Sequence, residues 1–208
     1  MGIDTLATAD LLYAKELGYR IKLVADARLS DGKLQIHVSP HLVKHGTPLA
    51  EVRGAHNAIT VEGNAVGRLL FHGLGAGQMP TASAVLADTI DMVNGRAKIT
   101  FQTLELWKQH PASFAPADFN GSAGKFYLRF NVADRPGVMA EITSALGKNG
   151  VSIASIIQHE SAEEEGVVPL VIMTHTTTEG AIGAAFEEIA ALSSMKSLRG
   201  PDARVGVA

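Results

Sequence analysis

The first third of the chain alternates between helical and strand-like spacing of its apolar residues. Residues 4–17 follow a helical period, and Gly18 is a typical residue just beyond a helix C-terminus. Two β-rich runs follow at 19–29 and 33–40, and the "SDG" between them is a hairpin turn signal. These patterns predict a helix followed by a β-hairpin.

The next stretch predicts a short helical turn, two more strands and a longer helix. Pro48 suits the first turn of a helix within "TPLAEV", residues 47–52. The runs "HNAITVEG" and "RLLFHGL" have strand-like composition, and helical spacing returns over residues 80–93. We expect residues 1–94 to form an α+β region whose main element is an antiparallel meander, giving a mostly antiparallel or mixed sheet.

Periodicity fades after this region and returns near residue 125. Residues 95–124 include "HPASFAPADFNGSAG", which is rich in Pro, Ala, Ser and Gly and is typical of a linker between domains. Residues 125–208 then show strand and helix patterns in the order βαββαβ. That order predicts a ferredoxin-like second domain, an antiparallel sheet with both helices on one face.

Composition and charge exclude several classes of function. The 208 residues are 46% hydrophobic and 19% charged, with a formal net charge of -3 and no cysteine. Such a chain offers neither a basic surface for nucleic acid nor thiolates for catalysis or metal binding. It has no apolar run of about 18 residues and no secretory signal, so we expect a cytoplasmic protein without a membrane partner.

A glycine-rich loop precedes the helix expected at 80–93. Gly73, Gly75 and Gly77 occupy every second position, a spacing that favours close approach of the backbone to a ligand such as a nucleotide phosphate. Pro80 stands where the dinucleotide pattern G-x-G-x-x-G requires a further glycine. The loop is therefore not a dinucleotide-binding fingerprint by itself.

The second candidate site is the start of the first helix of the βαββαβ region. In "ADRPGVMAEI", Asp134 is placed to cap the helix, Pro136 to occupy its first position, and Gly137 lies beside them. Backbone N–H groups at a helix start attract an anion such as an amino-acid carboxylate, and Asp134 could hold the ammonium group. The alternative is that these residues form only an efficient helix start.

Residues 125–208 resemble an ACT domain, on the strength of "DRPGV" before the first helix and "GVSIASI" at the second strand. The resemblance implies side-by-side pairing of two copies around an amino-acid effector. Its binding residues would be Asp134, Gly137 and Val138 of one copy with Ser152 and Ile153 of the other.

The segments "GIDTLATADLLYAKELGYRIKLVADA", "NAITVEG" and "GLGAGQMPTASAVLADTI" resemble the second half of homoserine dehydrogenase. That family reduces aspartate semialdehyde to homoserine with NAD(P)H, in threonine, methionine and isoleucine biosynthesis. The resemblance implies that Gly77 approaches the nicotinamide, with Gly75, Pro80 and Thr81 shaping that wall. It also implies L-threonine as the effector and at least a homodimer.

The same resemblance implies that the chain is inactive alone. The family's nucleotide-binding fingerprint and catalytic lysine are not found in this sequence, so we assign no catalytic residue and expect no bound cofactor. A stand-alone amino-acid sensor, with a dimerisation domain at 1–94, is the alternative.

The histidines and acidic runs suggest no metal site. His37, His41 and His45 recur every fourth residue, a spacing that aligns ligands on a helix, but Pro40 and Gly46 disfavour a helix there. We expect His72 to end a strand and residues 163–165, three glutamates, to form a solvated turn. Ordinary surface roles are expected for His159, His175, Asp88 and Asp91.

Overall fold

The computed structural model describes residues 3, 6–105, 114–159, 166–196 and 203–207. They form two compact units, one of Met1–His45 with Phe114–Ala208 and one of Gly46–Ser113. Within the described residues the elements in chain order are α1 (Thr8–Glu16), β1 (Tyr19–Ser30), β2 (Lys33–Lys44), α2 (Pro48–Glu51), β3 (His56–Gly63), β4 (Gly67–Leu74), α3 (Gln78–Val93), α4 (Arg96–Thr103), β5 (Ala115–Pro116), a 3₁₀ turn (Phe119–Gly121), β6 (Ala123–Ala133), α5 (Val138–Lys148), β7 (Ile153–Gln158), β8 (Val167–Thr174), β9 (Thr177–Thr178), α6 (Glu179–Ala190) and β10 (Ala203–Val207).

The first unit is built on one mixed sheet with the strand order β1-β2-β10-β6-β8-β7. Neighbouring strands are antiparallel except β2 and β10, which pair in parallel through Gly206 with His41 and Val207 with Leu42. The last four strands in that order, with α5 and α6, form the predicted βαββαβ arrangement. The ferredoxin-like fold of this region is confirmed.

The β1–β2 hairpin lies at the outer edge of this sheet. Its turn places both Asp31 and Gly32 at positive φ, 52° and 69°, which is the backbone geometry of a tight hairpin. The strands pair in register from Tyr19 with Lys44 to Ser30 with Lys33. The hairpin predicted from "SDG" is confirmed, although β2 extends four residues beyond the predicted end.

The second unit contains the β3–β4 hairpin, α2, α3 and α4. The two strands form a separate two-stranded sheet, so β2 and β3 belong to different sheets. The expected antiparallel meander is therefore wrong: two hairpins exist, but β2 pairs with β10 rather than with β3. Local alternation predicts strands well and says little about which strand pairs across a long stretch of chain.

Two cores cover opposite faces of the large sheet. Side chains of β6 at even positions, Phe126 through Val132, pack with α5 and α6 on one face. Tyr127 and Val205 face the other way and pack with Tyr13 and Ala14 of α1. The prediction that α5 and α6 share one face is confirmed.

The compact units do not follow the boundaries expected from the sequence. The composition of 95–124 predicts a linker, but its described part contains α4, β5, the 3₁₀ turn and the start of β6. Residues 19–44 belong to the sheet that also holds the strands of 125–208. Among the described residues, no helix combines the length and apolarity needed to cross a membrane.

Candidate effector and cofactor sites

The loop between β6 and α5 starts the helix in a different way from the one expected. Gly137, at φ 93°, is the N-cap residue, and the helix begins at Val138. The expectation that Asp134 is the N-cap and Pro136 the first helical residue is wrong, because Asp134 lies in the loop just after β6, three residues before the observed N-cap. Its backbone N–H donates to the Gly166 carbonyl at 2.9 Å.

The loop before α5 is exposed, whereas the first residue of α5 is buried. The side chain of Asp134 is exposed, whereas Val138 is buried in the core beneath it. The first N–H groups of a helix have no acceptor within the helix, so those of α5 suit a small anion. Gly137 has left-handed backbone geometry, in which any other residue would be strained.

Arg135 is a neighbour of this loop that the sequence did not single out. Its guanidinium donates to Oε1 of Glu141, one turn into α5, at 2.9 Å. The sequence contains an indication of this contact, because Arg135 and Glu141 are six residues apart on either side of a short loop. The contact keeps a positive charge beside the start of α5.

Ser152 and Ile153 lie at the opposite end of the sheet from this loop. The Ser152 carbonyl accepts from the His175 N–H at 2.8 Å, and Ile153 begins β7 opposite Thr174. Ala133, which precedes the loop, pairs with Val167 at the other end of β8. Val167 and Thr174 are seven residues apart along that strand, which corresponds to about 23 Å. One chain therefore brings Asp134, Gly137 and Val138 together but not Ser152 and Ile153.

The glycine-rich loop joins β4 to α3, and its glycines have different structural roles. Gly77 is the N-cap of α3 at φ 132°, and its carbonyl accepts from the Thr81 N–H at 3.0 Å. Both residues line a shallow open surface that runs along α3 as far as Thr89. Pro80 lies in the first turn of α3, which begins two residues before the predicted start.

Gly75 has a structural reason to be glycine. A Cβ there would overlap the side-chain amide of Asn57, which packs over the loop from β3. The Gly75 N–H also donates to the Ala55 carbonyl at 2.9 Å. Asn57 was missed by the sequence reasoning, and only the cross-strand register that sets it opposite Gly73 could have indicated it.

Two of the three regularly spaced histidines come together in the fold. His37 and His41 lie on the same face of β2 with ring centroids 5.7 Å apart, while His45 lies beyond the strand. The expectation that this spacing aligns imidazoles only on a helix is wrong, because every second residue of a strand shares a face. No cluster of three potential metal-binding side chains occurs in the part of the chain that the structure describes.

The remaining candidates have ordinary partners where they are described. His72 lies within β4 and stacks on His56 at 5.0 Å, and His159 pairs with Glu16 at 3.0 Å. Asp91 pairs with Arg96 at 2.6 Å. Residues 163–165 lie outside the described residues.

Known proteins match almost the whole chain. A family model for homoserine dehydrogenase matches residues 1–90, and one for the ACT domain matches residues 126–194. Over its first 90 residues the chain is therefore similar to homoserine dehydrogenases, and an ACT domain follows in the same chain. Both matches lie within the regions where the sequence resemblance was noted.

The similar homoserine dehydrogenases are about twice as long as this chain. That of Pseudomonas aeruginosa is 38% identical over 214 residues, covering 99% of this chain and 48% of the relative. That of Synechocystis is 35% identical and covers 95% and 47%. The crystal structure of a homoserine dehydrogenase from Thiobacillus denitrificans has a TM-score of 0.80 at 34% identity, covering 100% of this chain and 46% of that one.

The large sheet contains strands from both of the matched regions. The β1–β2 hairpin lies in the homoserine dehydrogenase match, whereas most of β6 and all of α5, β7 and β8 lie in the ACT match. The two matched regions thus share one continuous sheet through β10, and they share the core on its α1 face.

Proposed function

We propose that the chain is the C-terminal part of an NAD(P)-dependent homoserine dehydrogenase, which interconverts L-aspartate 4-semialdehyde and L-homoserine. The observation that carries this proposal is the pair of family matches, in this order, over residues 1–90 and 126–194. A stand-alone sensor would account for the ACT match but would leave the first match without a role.

In this proposal α3 and its preceding loop contribute one wall of the nicotinamide site. NAD(P)H supplies the hydride when it is bound. Gly77 presents bare backbone beside an open surface, and Thr81 offers a hydroxyl one turn further along α3. Gly75 contributes indirectly, because the Asn57 side chain packs on it and holds the loop.

The ACT domain, in the same proposal, binds L-threonine as a feedback effector in a homodimer. The effector's carboxylate would lie at the N–H groups that start α5, and its ammonium group at the Asp134 carboxylate. The left-handed geometry of Gly137 shapes this loop.

The separation of the two half-sites within one chain supports the dimer. β7 is the last strand of the sheet, and it runs parallel to β6 because both are antiparallel to β8. If two β7 edges paired antiparallel, the partner subunit's Ser152 would lie at the Gln158 end of this β7. That is the end of the sheet at which Asp134 lies.

Thermal shift and calorimetry of the 208-residue chain with L-threonine test this site. We expect millimolar threonine to raise the melting temperature, because a ligand that binds only the native state stabilises it, by about 2.7 kcal/mol at a hundredfold excess over Kd. Gly137→Ala should reduce the response, since Ala is strained at that φ and the loop would lose its shape. Gly147→Ala is the matched control, because Gly147 lies within α5 with open space around it.

Isoleucine, methionine and lysine serve as comparison ligands. The threonine proposal fails if wild-type chain does not respond to threonine at ten-millimolar concentration. It also fails if the Gly137→Ala variant remains folded and responds as the wild type does.

A further inference from the structure

A cleft of about 290 Å³ lies in the first unit, away from the α5 loop. Its walls come from β2, the 3₁₀ turn, the beginning of β6, the first residue of α6 and the end of β10. It therefore lies where the homoserine dehydrogenase match and the ACT match meet in one sheet. Its volume is close to the lower limit for small-molecule sites, which suits a ligand of a few heavy atoms.

One wall of the cleft carries a buried polar atom without a partner. Nδ1 of His37 is buried and has no hydrogen-bond partner among the described residues. The ring is held in place on two sides, by His41 at 5.7 Å and by the edge of Phe119 at 5.8 Å. Buried polar groups are nearly always hydrogen-bonded, so an unpaired imidazole nitrogen in a cleft indicates a ligand atom or solvent.

His41 presents the opposite hydrogen-bonding character. Its Nδ1–H donates to the Ser39 carbonyl at 3.0 Å, which leaves Nε2 as an acceptor in the neutral ring. Burial lowers the pKa of His41, so the ring is neutral near pH 7. Nε2 lies over Gly206, where an added Cβ would come within 2.9 Å of it.

The charges around the cleft are mixed. Lys125 and Arg28 are cations at its rim, and Arg28 is held by Asp26 at 2.7 Å. Glu179 adds a carboxylate at the start of α6, so a dianion would be repelled. The remaining wall is apolar, with Phe119, Phe126 and Val207.

We propose that this cleft binds a small carboxylic acid that carries a hydroxyl or ammonium group next to its carboxylate. The carboxylate accepts from Nδ1–H of His37 and pairs with Lys125. The adjacent hydroxyl or ammonium donates to Nε2 of His41. Amino acids and short hydroxy acids share this chemistry, and the site is independent of the α5 loop.

The test is a titration of the 208-residue Gly137→Ala chain, in which the proposed loop site is weakened. The probes are glycine and L-threonine, glycolate and lactate, propionate, and inorganic phosphate. Binding is measured by calorimetry and by the ¹⁵N resonances of the His37 and His41 rings. We expect an amino acid or a hydroxy acid to shift both rings and to bind at least tenfold more tightly than propionate.

Two substitutions locate the binding. His37→Phe keeps an aromatic ring against Phe119 and removes Nδ1, and Lys125→Met removes an exposed cation. Each should weaken binding at least tenfold, whereas Lys33→Met, outside the cleft, should leave it unchanged. Circular dichroism confirms that each variant is folded.

The proposal is overturned if no probe shifts the His37 and His41 resonances at ten-millimolar concentration. It is overturned equally if propionate or phosphate binds as tightly as the hydroxy and amino acids, or if Lys125→Met binds like the parent chain. A smaller threonine response in Gly137→Ala than in the wild type, with the shifts of the His37 and His41 resonances retained, would show that the two sites are separate.

Discussion

Asp10 of α1 is fully buried and is held by side chains from the central strand of the sheet. Its Oδ1 accepts from the Tyr127 hydroxyl at 2.8 Å and from Nε of Arg129 at 2.6 Å. Its Oδ2 accepts from Nη2 of Arg129 at 3.1 Å and from the Ala7 N–H at 2.7 Å. The carboxylate thus caps its own helix and joins α1 to β6.

Burial and the Asp10 charge both raise the pKa of Tyr127, so its hydroxyl remains a donor throughout the physiological range. The pair of Asp10 and Arg129 is a charge pair removed from water, and such pairs depend on both members being present. A change at one member leaves the other buried and uncompensated.

Asp10→Ala should destabilise the chain by about 3–5 kcal/mol, because the buried Arg129 guanidinium would lose its counter-charge. Tyr127→Phe should cost less, about 1.5–3 kcal/mol for one hydrogen bond to a charged group. Urea unfolding followed by far-ultraviolet circular dichroism measures both. Glu187→Ala, on the exposed face of α6, is the control and should change stability by no more than about 0.5 kcal/mol. Equal stability of Asp10→Ala and Glu187→Ala would contradict this account.

At the scale of elements, the loop from β4 into α3 depends on a contact between two strands of a hairpin. Asn57 in β3 packs over Gly75, and the backbone of Gly75 bonds to Ala55. This contact determines the path by which the chain reaches Gly77 and begins α3. The cofactor role proposed for Gly77 rests on that path.

A double-mutant cycle tests whether Asn57 is the reason for glycine at position 75. Gly75→Ala alone should destabilise the hairpin by about 1–3 kcal/mol through overpacking, whereas the same change in an Asn57→Ala background should be nearly neutral. Hydrogen exchange of the amides in 55–77 measures the difference, a factor of about ten for each 1.4 kcal/mol if the exchange follows local opening. Equal effects of Gly75→Ala in both backgrounds would show that Asn57 is not the constraint.

Elements were predictable where the signal is local, and their assembly was not. The Asp31–Gly32 turn and the periodic helices α3 and α5 follow from residues close in sequence. The parallel contact of Leu42 with Val207 depends on residues 165 positions apart, and no local pattern encodes it. For the same reason the cleft beside His37 was not foreseen, since its walls come from five separate segments.

At the candidate sites, too, some features could be predicted from the sequence and others could not. Gly77 and Gly137 both have positive φ just before a helix, and a glycine in that position is visible in the sequence. The sequence predicts Asp134 as the cap because aspartate is a common N-cap residue, whereas the structure has Gly137 in that position.

At the scale of the whole molecule, the shared sheet offers a physical route between the two family-matched regions. The loop that contains Asp134 follows β6 directly, and Arg129 of β6 forms a buried ion pair with Asp10 of α1. If the loop binds an effector as proposed, one strand and a buried ion pair connect that site to α1. Allostery also requires two states with different affinities, which the effector titration would reveal.

The second unit carries apolar surface that its own described residues do not cover. Val85, Ile90 and Val93 of α3 are 62%, 46% and 82% exposed. Exposed patches of this kind mark surfaces that meet another part of a protein. The relatives that the chain matches are about twice as long as this chain.

The chain alone should therefore fail to oxidise NADPH or NADH in the presence of aspartate semialdehyde. Hydride transfer needs the cofactor and substrate held within about 3–3.5 Å of each other, and the shallow surface beside Gly77 and Thr81 supports only one side of such a site. Loss of absorbance at 340 nm measures turnover, and a full-length homoserine dehydrogenase in the same assay is the positive control. Cofactor fluorescence measures binding separately, so that an inactive chain that still binds NADPH can be recognised. Turnover comparable to the full-length enzyme would mean that the catalytic groups lie within these 208 residues. The proposal that this chain contributes only one wall of the nicotinamide site would then be wrong.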